Sequence, residues 1–548
     1  MFSTKRNTLV SFTPTQSVAS NAFINAALKK GAETRSANGA LKYSSTGDVF
    51  VDQFGVVSSY KTPRSFSDIA RDAEMTWAVD KLKAVQFAIY LRMISRKTML
   101  LDGSMTSDSQ KGAEMRHEGI MRFIWLHSVD KKAFWENIGL FISAGSWKDI
   151  FTMLSYDLVY HDWKGRVLDW EKFGALILSG LENSNTSDLV KKYLPQIKSN
   201  SVCKTVDAQA DNTIAKWIAS LIFGSKQGSS TYKAYRKLKT SGTAHEWQKL
   251  ISQKRFDRIE FDKIHGRALS QLVKGKFLFN QGLSEVYSNW ITAPETKEVK
   301  YTGFVHELFE GLFPGRDEIR DSTINKQFQT LVDKGGNSEQ SKFIVVRDTS
   351  ASMGSPAMGT KSSCYNVAKA LALYFSEFLD GPFKDAWIEF NSTAKMHTWS
   401  GQTPVDKWRN DRSSFIGSTN FQSVVQLFAQ LKRNGVGEAD FPTGILCISD
   451  SEFNPTQLGK TNVETALTVL REAGFSKEYV DNFVIVLWNL QARYDHGNKF
   501  ETHGDVQNVF YFSGYSGSVV SFLTSKVKTA RELFDEVMNQ EILNLVKI

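Results

Sequence analysis

Oxygen-bearing side chains occur in three separate stretches of the C-terminal part of the chain, with a spacing that suits a metal site. The first stretch, residues 348–352, reads Asp-Thr-Ser-Ala-Ser, and two later stretches contribute a Thr and an Asp. A carboxylate and hydroxyls that converge can bind a hard cation, because magnesium prefers oxygen ligands and retains some of its water. We therefore predict a divalent metal site for Mg²⁺, with Mn²⁺ or Ca²⁺ as alternatives. Its predicted ligands are Asp348, Ser350, Ser352, Thr419 and Asp450.

The segments around these residues alternate between predicted strands and helices. Nearly all-apolar strands suit a parallel sheet that is buried on both faces, and the alternation predicts a doubly wound α/β domain over residues 343–548. In such a sheet, ligands bind beyond the carboxyl ends of the strands. The alternative is that Ser350 and Ser352 only cap a helix and that Asp450 ends a strand at a turn. The predicted strands are 343–347, 386–390, 444–449 and 482–488, and the predicted helices are 364–378 and 421–431.

The three stretches resemble the metal-ion-dependent adhesion site of von Willebrand factor A domains. The resemblance implies that Ser350, Ser352 and Thr419 contact the metal directly, while Asp348 and Asp450 hold it mainly through hydrogen bonds and waters. It also implies a free coordination position, which a carboxylate of an acidic partner fills. Because hydroxyl ligands are neutral, the cation keeps enough charge to attract an acidic side chain or a phosphate.

The chain before residue 330 has the pattern of helices, because apolar residues recur there at three- and four-residue steps. The clearest examples are 78–92, 121–126 and 134–141. Short connections between such segments predict stacked helix pairs, and the lack of a sharp repeat length favours a degenerate, HEAT-like α-solenoid over residues 63–330. Residues 1–62 carry little helical periodicity and predict an extended N-terminal arm, whereas the polar residues 331–342 predict a linker.

An α-solenoid followed by a metal-site domain resembles the Ro autoantigen family, whose TROVE region is a ring of helical repeats closed by a von Willebrand factor A domain. Four segments carry this likeness: residues 145–154, which read Gly-Ser-Trp-Lys-Asp-Ile-Phe-Thr-Met-Leu, and residues 38–48, 486–491 and 512–516. The resemblance implies a ribonucleoprotein. Small noncoding RNAs would bind the outer face of the ring, and single-stranded RNA ends would pass through its hole.

The charge distribution independently favours a nucleic-acid partner. Between Lys191 and Lys276 there are 18 Lys and Arg against 6 Asp and Glu, an excess larger than the +9 of the whole chain. Such a concentrated excess is typical of a phosphate-binding face. Tyr235, Trp247 and Phe256 lie among these cations and suit base stacking, although core packing is the alternative. The predicted RNA-binding residues, for which a solvated helix face is the alternative, are Lys233, Arg236, Lys237, Lys239, Lys254, Arg255 and Arg258.

Several other classes of function lack their residues. The cysteines, Cys203, Cys364 and Cys447, are too scattered for a disulfide framework or a structural zinc site. No His-Glu-x-x-His pair and no candidate nucleophile occur, so we predict a binding protein and not an enzyme. A secretory signal and an apolar run of about eighteen residues are also missing. The sequence therefore predicts a cytoplasmic protein, or a virion-associated one if its origin is viral, without a membrane partner.

Two functions from different classes fit these observations. The first is a Ro-like scaffold in which a basic helical solenoid binds RNA and the metal site docks an acidic partner. The second is a protein–protein assembly or adhesion module, such as a component of a larger particle, with no RNA role. A magnesium-dependent nuclease is a third possibility, but the sequence offers neither a general base nor a second metal site for it.

Overall fold

The structure is a computed structural model of the 548-residue chain. It describes residues 33–548 apart from a set of short gaps, and the first half of the predicted N-terminal arm, residues 1–32, lies outside the described residues. The gaps are residues 58–63, 162–166, 200, 225–227, 243–245, 265, 275–276, 313–314, 336–341, 358–359, 361, 378–381, 414–415, 457–458, 492–499, 504–505, 518–520 and 522–526.

Residues 33–56, which the sequence assigns to an extended arm, form a small hairpin and a helix. Strands β1 (Glu33–Arg35) and β2 (Leu41–Tyr43) are antiparallel, and helix α1 (Val49–Val56) follows them. Asp48 starts α1 by accepting hydrogen bonds from the N–H groups of Phe50 and Val51, as N-cap residues do. The expectation of an arm therefore does not hold for this stretch, because α1 is apolar nearly all round and is buried against other elements.

Helices fill the next part of the chain and end shortly before the α/β domain. Several begin at a side chain that accepts a hydrogen bond from the first turn, such as Asp169 and Thr205. In chain order the helices are α2 (Phe66–Val79), α3 (Lys81–Arg92), α4 (Arg116–Val129), α5 (Lys131–Ala144), α6 (Lys148–His161), α7 (Trp170–Glu182), α8 (Ser187–Tyr193), α9 (Val206–Phe223), α10 (Ser229–Thr240), α11 (Glu246–Ser252), α12 (Gly266–Val273), α13 (Phe277–Gln281), α14 (Ser284–Thr292), α15 (Val305–Phe309) and α16 (Glu318–Gly335).

Single aspartates separate two pairs of these helices. Asp80 lies between α2 and α3 in an extended conformation, and its side chain accepts a hydrogen bond from the N–H of Lys83. Asp130 does the same between α4 and α5, where it accepts from Ala133. The continuous helix predicted over residues 78–92 is therefore wrong at its start, because Asp80 caps a new helix there. In contrast, α16 continues through residues 331–335, so the start of the predicted linker is helical.

The α/β domain contains a six-stranded mixed sheet in the order β5-β4-β3-β6-β7-β8. All neighbouring pairs are parallel except β4 and β5, which are antiparallel. The strands are β3 (Phe343–Asp348), β4 (Ala386–Phe390), β5 (Ala394–Thr398), β6 (Gly444–Ser449), β7 (Val484–Asn489) and β8 (Val509–Ser513). The helices of the domain are α17 (Cys364–Ser376), α18 (Pro404–Asn410), α19 (Gln422–Arg433), α20 (Asn462–Glu472), α21 (Lys477–Asn482) and α22 (Ala530–Met538).

The sheet is buried on both faces, as the apolar strands predict. Alternate residues of one strand point to opposite faces, so Val345 and Leu446 join one apolar cluster while Val346 and Ile445 join another. Helix α17 covers the first face, and α19 and α20 cover the second. The prediction of a helical N-terminal part followed by an α/β domain is thereby confirmed.

The end of the chain returns to the helical part and packs on it. Phe534 of α22 contacts Phe87 of α3, with ring centroids 5.6 Å apart. Asn137 of α5 then pairs with Lys547, because its amide donates to the Lys547 carbonyl at 2.6 Å and accepts from the Lys547 N–H at 2.9 Å. One apolar cluster thus runs from the helical part into the α/β domain. Within the described residues, no helix is long and apolar enough to span a membrane.

Candidate functional site

The site begins where β3 and β6 end side by side. The two strands are parallel neighbours, with Arg347 opposite Ile448, so Asp348 and Ser449 leave the sheet at the same edge. The Ser449 hydroxyl donates to Oδ2 of Asp348, and the Ser350 N–H donates to Oδ1 at 2.8 Å. Along the chain, β4 is added next to β3 on one side of this pair, and β7 is added next to β6 on the other side. The strand order therefore reverses between β3 and β6. Ligands of open α/β sheets bind at such a point.

The loop after β3 turns its two predicted serines toward each other. Residues Ala351–Gly354 form a short 3-10 helix, which starts after Ser350. The hydroxyl oxygens of Ser350 and Ser352 are 2.9 Å apart. Ser350 does not cap this turn with its side chain, so the capping alternative considered for it finds no support. Two hydroxyls at this distance can serve as neighbouring ligands of one cation.

Backbone hydrogen bonds bring the other two stretches to the same place. The Ala351 N–H donates to the Gly417 carbonyl at 3.2 Å, which ties the Thr419 loop to the Asp348 loop. The Asn454 N–H donates to the Thr419 carbonyl at 2.8 Å, which ties that loop to the segment after Asp450. All five predicted metal ligands therefore lie at one edge of the sheet. We call this set, Asp348, Ser350, Ser352, Thr419 and Asp450, the oxygen cluster.

Four members of the oxygen cluster are buried and Ser352 is partly exposed. The two carboxylates repel each other when both are charged. Asp348 is 0% and Asp450 4% exposed. Burial, and then the charge of Asp450, raise the pKa of Asp348 to about 7, although hydrogen bonds from Ser449 and Ser350 oppose the rise. A bound cation would stabilise both carboxylates in the charged form. The rest of the cluster is hydroxyl oxygen, and the described residues contain no group of three or more His, Cys, Asp or Glu side chains suited to a metal.

Sequence reasoning missed Ser449 as a member of the site. Its hydroxyl both donates to Asp348 and accepts from the N–H of Ser451, at 2.9 Å in the latter case. The signal was present, since Ser449 is the last residue of an apolar strand and precedes Asp450. The sequence does not show that β3 and β6 are neighbours in the sheet, and it is this pairing that makes Ser449 face Asp348.

The N-terminal hairpin lies against the segment that follows Asp450. The Ser36 hydroxyl donates to the Phe453 carbonyl at 2.9 Å, and the Ala37 N–H donates to Oε2 of Glu452 at 2.5 Å. Lys42 donates to the Ser451 carbonyl at 3.0 Å and also pairs with Glu501. The hairpin thus holds the loop that carries Asp450. Neither the hairpin sequence nor the loop sequence predicts this contact.

The seven predicted RNA-binding residues do not share one environment. Lys239 is half-buried and donates to the Lys192 carbonyl at 3.4 Å and to the Leu194 carbonyl, and burial lowers its pKa. Lys239 therefore binds backbone carbonyls at the C-terminal end of α8, and its prediction as a nucleic-acid contact is not supported. The other six cations are exposed: Lys233, Arg236, Lys237, Lys254, Arg255 and Arg258.

The aromatic residues among these cations serve mainly as core. Tyr235 is 0% exposed, and its hydroxyl donates to the Pro195 carbonyl at 2.8 Å, so it cannot stack on a base. Trp247 and Phe256 are half-buried and pack on a satellite apolar cluster around Phe261, Leu283 and Tyr287. The packing alternative is correct for Tyr235, whereas Trp247 keeps an accessible edge in a groove described below.

One known family resembles the C-terminal part of the chain. A family model described as a domain of unknown function (DUF7788) matches residues 342–544, which correspond to the α/β domain. No curated protein matches the chain.

Proposed function

We propose that the α/β domain is a von Willebrand factor A-type domain that binds Mg²⁺ through the oxygen cluster and presents it to an acidic group of a partner. The observation that carries this proposal is the meeting of Asp348, Ser350, Ser352, Thr419 and Asp450 at the edge where the strand order reverses. Hydroxyl and carboxylate oxygens are the ligands that Mg²⁺ prefers. Mn²⁺ and Ca²⁺ are the alternative cations.

In this proposal the protein acts by binding and not by catalysis. Ser350, Ser352 and Thr419 would contact the cation directly, while Asp348 and Asp450 would balance its charge. Because the three hydroxyls are neutral, the bound ion would remain positive enough to attract a carboxylate. The Ser449 hydroxyl and the Ser350 N–H orient Asp348 toward the site.

A thermal unfolding series tests the metal proposal. The parent should gain several degrees in Tm when Mg²⁺ replaces EDTA, because a ligand that binds only the folded state stabilises it. Asp348→Ala and Thr419→Ala should remove this gain. Ser418→Ala is the matched control, because Ser418 is an exposed hydroxyl of the same loop that contacts Ser392 instead of the cluster. If none of Mg²⁺, Mn²⁺ and Ca²⁺ changes the Tm of the parent, the proposed metal site is refuted.

A second candidate function is RNA binding by the helical part, as in a Ro-like ribonucleoprotein. The six exposed cations, in a segment with 18 Lys and Arg against 6 Asp and Glu, favour a polyanionic partner. The helices α2 to α5 pack on their sequence neighbours, which supports degenerate HEAT-like repeats of the TROVE type. The cytoplasm is the compartment proposed for this role.

A salt titration separates RNA binding from the rival assembly role. The affinity for a labelled RNA should fall steeply as ionic strength rises, because phosphate contacts release counterions. A protein–protein assembly module would bind RNA weakly or without such a slope. The same RNA, incubated with the protein and Mg²⁺, should remain intact, and progressive cleavage would contradict the proposed absence of catalysis.

A further inference from the structure

The helices α11 to α13 enclose a groove that belongs to neither the oxygen cluster nor the main core. Its walls carry two aromatic side chains, Trp247 and Phe277, and several amide and hydroxyl groups. Phe277 is 38% exposed, so part of its ring is open to the solvent. The lining residues are Trp247, Gln248, Ile251, Ser252, Ala268, Gln271, Leu272, Phe277 and Gln281. We call this the Trp247 groove.

We propose that the Trp247 groove binds an unpaired base of a single-stranded nucleic acid. This proposal rests on the RNA-binding function proposed above and identifies where on the helical part a strand is held. Aromatic rings stack on bases of any sequence. Glutamine amides carry both a donor and an acceptor, which is the pattern that base edges present.

Three cations follow helix α11, which forms one wall of this groove. After α11, the Lys254 N–H donates to the Ile251 carbonyl at 3.0 Å and the Arg255 N–H to the Leu250 carbonyl at 2.9 Å. These bonds fold the segment back onto the helix that carries Trp247. Lys254, Arg255 and Arg258 are exposed there. A base in the groove would therefore have cations beside it to meet the phosphates of its strand.

The conformation of Lys254 gives a second reason to assign these cations to a ligand. Lys254 has φ +56°, at the end of a helix where glycine is the favoured residue. A lysine in this conformation is strained, since its side chain crowds the backbone. A position that stability alone would give to glycine thus carries an exposed cation beside the groove.

Nucleic acid fits this region better than an acidic peptide does. A peptide would need carboxylates for the cations and apolar side chains for the groove, in one spacing. A nucleic acid strand supplies both at every step, because each nucleotide carries a phosphate and a base with a flat apolar face. RNA and single-stranded DNA share this chemistry, so the test includes both.

Fluorescence anisotropy with dye-labelled oligonucleotides tests the groove. The probes are a single-stranded RNA, the DNA of the same sequence and a duplex of the same length. Phe277→Leu should weaken single-strand binding by roughly tenfold, the effect of losing a base stack, and leave duplex binding unchanged. Phe279→Leu is the matched control, because Phe279 is 75% exposed on the same helix and does not line the groove. Preference for the RNA or the DNA probe then identifies the natural strand.

Lys254→Gly adds a readout that a structural role would not produce. It should raise Tm by relieving the strained backbone and yet weaken single-strand binding a few-fold by removing a phosphate contact. Equal losses for Phe277→Leu and Phe279→Leu, no loss for Phe277→Leu, or displacement of the strand by polyglutamate at equal charge would each overturn the groove assignment. If the parent binds none of the three probes at low salt, the RNA function itself fails, which is a distinguishable result.

Discussion

Arg347 Nη1 lies 2.8 Å from Oδ2 of Asp411, and both side chains are buried. The Arg347 guanidinium also stacks on Trp387, 4.1 Å from the ring centroid, and donates to Ser413. Arg347 is the residue before Asp348, whereas Asp411 and Ser413 precede the Thr419 loop. This pair therefore links the strand that carries Asp348 to the segment that precedes the Thr419 loop.

Arg347→Met should destabilise the fold by about 3 kcal/mol, because it removes the main partner of a buried carboxylate. Lys369, whose Nζ is 3.4 Å from Asp411, limits the loss. The free energy of unfolding of the metal-free protein, measured in urea, gives this loss of stability. Arg347→Met combined with Asp411→Asn should recover part of the stability, since the buried carboxylate is then gone, although Lys369 loses its partner and limits the recovery. A double variant that is less stable than Arg347→Met alone would contradict this account.

Lys42→Met should likewise cost about 3 kcal/mol or more, since Lys42 and Glu501 form an ion pair in which each side chain is 1% exposed. Glu501 also accepts from the N–H groups of Asn462 and Val463, so it stays in place when Lys42 is lost. The measurement is urea unfolding, with Arg35→Met as the control because Arg35 is exposed on the same hairpin. Equal stability of these two variants would show that the hairpin is not part of the domain core.

The pH dependence of stability should reveal Glu114. Burial raises the pKa of Glu114 from 4.5 to about 7, although the Ser95 N–H and Arg267 oppose the rise. Between pH 4.5 and about 7, the folded state therefore keeps a proton on Glu114 that the unfolded state has lost. The stability of the fold is unaffected by this group below pH 4.5 and falls as the pH rises to about 7. Relative to Glu114→Gln, the parent should lose about 3 kcal/mol across this window. Glu478→Gln, on the surface of α21, is the charge-matched control; a parallel pair of stability curves for parent and Glu114→Gln would refute the prediction.

Replacing Lys254, Arg255 and Arg258 by Gln should weaken RNA binding and make its salt dependence shallower. Each lost phosphate contact lowers the slope of log K against log salt by about 0.7 for a single strand, so the triple variant should lose about 2. The control replaces Lys131, Lys132 and Lys477, which are exposed elsewhere. If both triple variants lower the affinity equally, net charge and not this surface governs binding.

Much of the α/β domain could be predicted from the sequence. The strands predicted at 386–390 and 444–449 have those bounds in the structure, because apolar runs ended by turn residues mark buried strands. Asp348 and Asp450 were also placed this way, since the residue at the end of a parallel strand lies at the ligand-binding edge, whereas Thr419 was chosen from a loop before a helix. Strand β5 was missed because its residues are mostly exposed and lack that apolar signal.

Other features depend on contacts between residues far apart in the chain. The sequence determined where strands and helices form, where Asp348 and Asp450 leave the sheet, and where cations are concentrated, because these are properties of local pattern and composition. Only the tertiary structure decided that Ser449 faces Asp348, that the hairpin at 33–43 supports the Asp450 loop, and that Lys239 is occupied by backbone carbonyls. Strand order and packing bring these groups together, and neither is encoded by the residues next to them in the chain.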